Sequence, residues 1–378
     1  MVPEIVPTDG SFTRLTAGGR TAGEASLPDA WWPIAFSDQI RQHPKAFRLG
    51  RQDFAVYRDL GGVVRAVDDA CPHRRLPLSM GRITEDGYLQ CAYHGWCYDG
   101  ATGQCTAIPN LSQAEKVPRG VKVTVFATVE SVADALGWGV RSPALAPRVG
   151  PPTGQEPDEG TSMSSAAVVG PLVFVWSGGQ PASTDQPVAP SAVERGLPRG
   201  SSVSGQMTVR APHAEVCDAV LWNPGKLLRQ GWLIGAGDEV RGPVVNANAS
   251  SVSVSRQRYA LDLQRVSTFG PVSKRVADSS ITTDAVTGLT SIDVRSSGRV
   301  PPARVVVALT PIGSYRTVVR WTTTFGGAQQ RFGRNAAAAA AHAARLRASS
   351  RAESTVDATE AAVDPAVELL RDLRRARQ

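Results

Sequence analysis

Long apolar runs are missing from this chain. A helix that crosses a bilayer needs roughly 18 or more consecutive apolar residues, and none of the 378 residues begins such a run, so no transmembrane segment is expected. Blocks of like charge are scarce too. The net charge is +7, but lysine and arginine are scattered until the closing RDLRRARQ, which reads as a solvated helix face or tail. That excludes a nucleic-acid-binding strip and leaves room for docking an acidic electron-transfer partner. Residues 1–28 contain Glu4, Asp9 and Glu24 and no apolar core, which excludes a secretory signal. A flexible arm is expected there, with a transit-peptide remnant as the alternative. Cysteine is sparse, and its count of five is odd. A disulfide framework is thereby excluded and a reducing compartment expected.

What is present divides the chain in two, as its length implies. From Trp31 to Ala127, short apolar runs alternate with Gly, Pro and Asp. FAVYRD (54–59), GGVVRAV (61–67), GYLQCAY (87–93) and VKVTVFATV (121–129) read as strands, with hairpin signals at Gly61-Gly62, Asp86-Gly87 and Asp99-Gly100. SVADALGW (131–138) reads as one or two helical turns. Residues 143–165, crowded with Pro, Gly, Ser and acids, read as an insertion. The run GPLVFVWSGG (170–179) then returns as a buried strand of the same all-β domain, and 180–190 is the linker. In the second half HAEVCDAVLWNP (213–224) has helical spacing. The segments 250–263, 289–297, 303–312 and 315–325 alternate like strands of a broad antiparallel sheet. Two terminal helices follow, at 329–349 and at 364–376, the latter with Asp364 as N-cap and Pro365 in its first turn. The fold class is α+β, with domains at 29–187 and 188–378 after the arm.

The densest chemistry lies in CPHRRLPLSMGRITEDGYLQCAYHGW, residues 71–96. Cys71-x-His73 and Cys91-x-x-His94 supply two thiolates and two imidazoles. One structural zinc could take all four, or a Rieske [2Fe–2S] cluster could place two Cys on one iron and two His on the other. The order favours the cluster. Each loop brings one Cys and one His, whereas common zinc modules bring Cys-Cys and His-His pairs with a helix between.

With its continuation CYDGATGQC, and with WWPIAFSDQI at 31–40, this stretch resembles the Rieske non-haem iron oxygenases over residues 31–128 and again at 170–179. The resemblance implies Cys71 and Cys91 on the inner iron and His73 and His94 on the outer one, with a reduction potential roughly between −150 and +300 mV. Tyr93 and Trp96 are expected to shield the cluster. Cys97 and Cys105 are expected to be core thiols.

The resemblance further implies a helix-grip (START-like) second domain holding one Fe(II) through two His and a carboxylate. In the register set by Val220-Leu221 and Gly231-Trp232, the family's relay Asp falls on Trp222 and its two His ligands on Gly225 and Gln230, none of which can do the job. A mononuclear Fe(II) is therefore not expected in this chain, and its iron site reads as degenerate. Asp357, Glu360 and Asp364 lie near the place of the third ligand and read as surface charges. His213, Glu215, Cys217 and Asp218 form the one local set that could rebuild a site, although a His after Pro212 reads as an exposed neighbour of the helix cap. The leading expectation is an oxidoreductase component that takes electrons from a reductase or ferredoxin. It passes them to an iron-bearing homologous subunit, in a trimer or hetero-oligomer, for O2-dependent oxidation. The alternatives are a self-sufficient oxygenase with an unusual iron site, and a non-catalytic ligand-binding or redox-sensing protein. The compartment is expected to be cytoplasmic, or the chloroplast stroma for an algal chain.

Overall fold

The computed structural model describes residues 27–111, 116–118, 120–134, 137–141, 172–178, 202–260, 275–295, 302–325 and 364–377. The expected arm up to residue 26, the insertion at 143–165, the linker at 180–190, the helix at 329–349, and Asp357 and Glu360 lie outside these.

The first half contains β1 (Trp31–Phe36), β2 (Lys45–Leu49), β3 (Gln52–Arg58), β4 (Val64–Asp68), β5 (Arg82–Ile83), β6 (Leu89–Gln90), β7 (Cys97–Tyr98), β8 (Cys105–Ala107), β9 (Val125–Phe126), β10 (Thr128–Asp134), β11 (Gly137–Arg141) and β12 (Leu172–Trp176). They form three antiparallel sheets, in the orders β1-β12-β10-β11, β2-β3-β4-β9 and β5-β6-β7-β8. The LVFVW run of β12 lacks polar alternation because it lies between two strands and is covered on both faces. On one side Val173 and Val175 pack with Trp32, Phe54 and Val56. On the other, Leu172, Phe174 and Trp176 pack with Trp31 and Phe36 and reach Leu289, Val306 and Ala308 of the second half. The helical turns expected at 131–138 are instead the β10–β11 hairpin. Thr128–Glu130 pair with Val173–Val175, and the open edge of β12 overrides a weak local helix preference.

The second half builds one seven-stranded antiparallel sheet from β13 (Ser202–Val209), β14 (Glu239–Ala247), β15 (Ser251–Tyr259), β16 (Val276–Asp284), β17 (Thr290–Val294), β18 (Ala303–Gly313) and β19 (Arg316–Phe325). Its order is β13-β19-β18-β17-β16-β15-β14. Between β13 and β14 the chain forms α1 (His213–Trp222), α2 (Pro224–Leu227) and α3 (Gly231–Ile234); α4 (Pro365–Arg375) comes last. One sheet face carries Val203, Val254, Ile281, Ile292, Val305, Val319 and Trp321, packed with Val216, Val220 and Leu221 of α1 and Val367 and Leu370 of α4. The fold is thus α+β, a small all-β domain followed by an antiparallel sheet gripping helices.

The two halves share packing. Val286, in the turn after β16, joins the first domain's core. The Thr310 hydroxyl donates to the Pro33 carbonyl, Gly50 N–H donates to the Pro311 carbonyl at 2.7 Å, and Trp32 meets the His213 ring edge-on at 5.1 Å.

Candidate metal centre

The two ligand loops share one backbone design. In the first, Cys71 N–H donates to the Leu76 carbonyl and Arg75 N–H to the Cys71 carbonyl, both at 2.8 Å. In the second, Cys91 N–H donates to the Trp96 carbonyl at 2.9 Å and Gly95 N–H to the Cys91 carbonyl at 3.2 Å. Each loop closes through a left-handed residue four positions after its Cys, Arg75 at φ 59° and Gly95 at φ 69°. A non-glycine residue there costs of order 1 kcal/mol, which Arg75 bears. Gly95 has no such latitude, because a Cβ would also lie 2.9 Å from Pro109 Cγ.

These loops bring all four expected ligands together. Cys71 and Cys91 are buried at 2% and 3% exposure, while His73 and His94 are half-buried at the rim. The imidazole centroids are 4.6 Å apart. Two imidazoles on one metal at a right angle, with metal–nitrogen bonds of about 2.1 Å, would have centroids roughly 4.5 Å apart, so the pair suits a shared outer iron. Trp96 stacks on His73 at 4.4 Å and 3°, and Tyr93 lies 3.8 Å from His94. Both aromatics therefore cover an imidazole, Tyr93 from an exposed position.

Within this set, the surroundings of His73 and Cys91 favour the neutral imidazole and the thiol. His73 is held below the usual imidazole value, by desolvation first and then by His94 and Arg74. Burial pushes the Cys91 thiol up, against the backbone N–H groups of Tyr93 and His94 that face its sulfur. Cys97 and Cys105 are buried thiols with local partners, the Gly95 carbonyl at 3.3 Å and the Ala107 carbonyl at 3.7 Å. Burial raises both, Cys105 to about 11, which makes them inert core thiols. Sequence reasoning missed Tyr98, whose hydroxyl lies 3.1 Å from Cys71 Sγ. Its only sequence signal is a tyrosine just after the second loop, which reads equally as a core aromatic.

The family model for the Rieske [2Fe–2S] domain matches residues 30–126. These residues are a Rieske domain. Pheophorbide a oxygenase of Arabidopsis thaliana is 40% identical over 129 residues, covering 32% of this chain and 24% of the relative. The oxygenase component of dicamba O-demethylase from Stenotrophomonas maltophilia is 40% identical over 110 residues, covering 29% and 31%. Each match spans less than a third of the relative's length. In fold, the chain is similar to dicamba monooxygenase bound to 3,6-dichlorosalicylic acid, with a TM-score of 0.58 at 17% identity over 92% of this chain and 98% of that one. The Rieske domain and the sheet-plus-helix domain together therefore have the fold of Rieske oxygenases.

In the second domain the register positions are occupied by packing. Trp222 ends α1 half-buried, with Lys226 Nζ at 5.5 Å and the Arg258 guanidinium at 5.4 Å from its ring. Gly225 is a contact between backbones, since a Cβ would lie 2.0 Å from the Gly235 carbonyl oxygen. Gln230 is fully buried and accepts a hydrogen bond from the Thr323 hydroxyl at 3.0 Å.

Asp364 is not the surface charge expected of it. It is 8% exposed, caps α4 through the N–H groups of Ala366 and Val367, and accepts from Arg256 Nη2 at 2.6 Å. Arg256, 1% exposed, also reaches Glu239 at 2.5 Å. His213 is not an exposed cap neighbour either. As the first residue of α1, it donates through Nε2 to the Thr287 carbonyl at 2.9 Å and has Cys217 Sγ 3.5 Å from the same nitrogen. Burial pushes His213 down to about 4 and Cys217 up to about 12, giving a neutral pair. Asp218 is clamped by Arg371 at 2.8 Å and Arg374 at 2.9 Å. Its carboxylate, like the outer nitrogen of His213, is already engaged.

Proposed function

We propose that this chain is the electron-carrying component of a Rieske-type oxygenase, whose own mononuclear iron position has been closed by packing. Cys71 and Cys91 would hold the inner iron, and His73 and His94 the outer one. When bound, the [2Fe–2S] group supplies one-electron transfer. The observation that carries the reading is the convergence of two loops of the same design, which present two buried thiols inside and two imidazoles at the surface. The buried pair keeps water from the sulfurs. The exposed imidazole edges, with Tyr93 beside them, offer the short path by which an electron enters from a reductase or ferredoxin and leaves toward an iron on a homologous subunit. Support for a closed iron position comes from Gly225, where the Gly235 carbonyl leaves no space for a ligating side chain. The buried ion pair of Asp364 with Arg256 adds to it, because a guanidinium already neutralises that carboxylate. O2-dependent oxidation of an organic substrate would then occur at the partner's iron, and the relatives' names fit that class of reaction.

The test is an iron and sulfide count on the purified chain, together with EPR after reduction. About two irons and two sulfides per chain and a Rieske-type signal are expected, with the signal altered or lost in His73→Cys. A colourless protein with one zinc would overturn the reading. About three irons, one of them lost in His213→Ala, would favour a self-sufficient enzyme.

A further inference from the structure

The face of the second sheet that meets the Rieske domain buries two arginines, Arg304 on β18 and Arg320 on β19. Arg304 has a carboxylate, Asp293 of β17, at 2.6 Å. Arg320 has none among the described residues. Its Nη1 donates to the Thr310 hydroxyl at 2.7 Å, which is itself committed to the Pro33 carbonyl of β1. Its Nε has no hydrogen-bond partner. Burial lowers Arg320 to about 10, so the guanidinium is still charged at neutral pH.

Three more orphaned polar groups lie along the same seam: the indole N–H groups of Trp31 and Trp176 and the Ser291 hydroxyl. Arg320 stands opposite Ala308 in the β18–β19 ladder, and Ser291 opposite Val306 in the β17–β18 ladder. Residues paired in this way share a sheet face. Val306 and Ala308 pack into the cluster that also holds Trp31 and Trp176. Those two indoles are a cross-strand pair, edge-on at 5.4 Å. The seam between the domains therefore gathers one buried cation and several unused donors, and no described carboxylate answers them.

We propose that this seam is a binding site for a small monovalent anion, a halide or a short carboxylate, held by the Arg320 guanidinium with the indole N–H groups of Trp31 and Trp176. A buried charge is costly unless an opposite charge meets it, and buried donors are costly unless an acceptor does. One anion answers both needs at once. A single charge matches the single guanidinium, and a multiply charged anion would lose far more hydration on entering an apolar seam. Val306, Ala308 and the two indole rings leave room for a small ion only. Because β1 and β12 come from one domain and β17, β18 and β19 from the other, the bound anion would hold the two domains together.

The experiment follows thermal melting of the full-length chain at fixed pH and ionic strength, replacing sodium gluconate stepwise by chloride or by formate. Gluconate is too bulky for the seam. In the parent, Tm relative to gluconate should rise and saturate with one or both small anions, as it does when a ligand binds only the folded state. A chloride response identifies a halide site and a formate response a carboxylate site. Arg320→Met keeps the length of the side chain and removes its charge, and it should abolish the saturable rise. A parent indifferent to both anions overturns the proposal, and so does an equal response in Arg320→Met. If that variant fails to fold, crystals of the parent soaked in bromide or in formate decide. Anomalous or difference density beside the Arg320 guanidinium is expected, and its absence with both anions overturns the proposal.

Discussion

At the scale of single residues, Gly225 bears most directly on the proposed closure of the iron position. The Gly235 carbonyl oxygen lies 2.0 Å from where a Cβ would stand, so a larger side chain has no space there. Gly225→Ala is therefore expected to destabilise the protein by at least ~1–3 kcal/mol, read as a lower urea midpoint at unchanged slope. Restoring the family's residues as Trp222→Asp, Gly225→His and Gln230→His should then lower stability without creating stoichiometric Fe2+ binding. A Gly225→Ala protein as stable as the parent would show that α2 and α3 can move apart, and would remove the main support for a closed site. The set Cys71, His73, Cys91 and His94, which the fold brings together, was legible because thiol and imidazole at those spacings serve few other purposes. Tyr98 was not, because a core tyrosine and a donor to sulfur differ only in where the hydroxyl ends.

Among the elements, α4 follows local rules most closely. Asp364 and Pro365 read as a helix start in the sequence and form one, with both N-cap bonds made. What the sequence does not reveal is that the same carboxylate neutralises Arg256 inside the sheet. Asp364→Ala should cost about 3 kcal/mol or more, since it strips a buried guanidinium of a partner as well as removing a cap. Asp364→Asn, which keeps an acceptor for the cap, should cost less, and thermal melts of the pair would measure the difference. Equal losses would mean that the cap alone matters. Strands were legible where apolar residues alternate, as in β15, β18 and β19. β13 and β16 escaped notice because one face of each is rich in Ser and Thr, which pair across the sheet, as Ser204 does with Thr322 at 2.8 Å and Thr282 with Ser253 at 2.9 Å. In the 131–138 segment, Ser131–Asp134 pair locally with Gly137–Val140, extending a strand whose start, Thr128–Glu130, is held by β12 some forty residues on.

For the molecule as a whole, the contact between Trp32 and His213 ties domain docking to pH. His213 titrates at about 4 in the folded chain, against about 6.5 when unfolded. Its folded value is depressed, so the unfolded chain binds the proton more readily. The stability this residue contributes is complete above pH 6.5 and is lost as pH falls toward 4. The loss is of the order of 3 kcal/mol. Urea midpoints should fall over that window in the parent and fall less in His213→Gln. If the parent and this variant show the same pH slope, the imidazole is not held neutral at the domain boundary.

The sequence by itself determined which two Cys and two His stand together in paired loops, the all-β character of the Rieske domain and the start of the last helix. In each of these, a local feature such as spacing, alternation or a cap residue carries its own physical consequence. Tertiary structure alone decided three things: that Gly225 is closed by a carbonyl ten residues on, that Asp364 answers to an arginine in a distant strand, and that a phenol reaches the sulfur of the other loop. Each depends on a contact between residues whose proximity no local rule specifies.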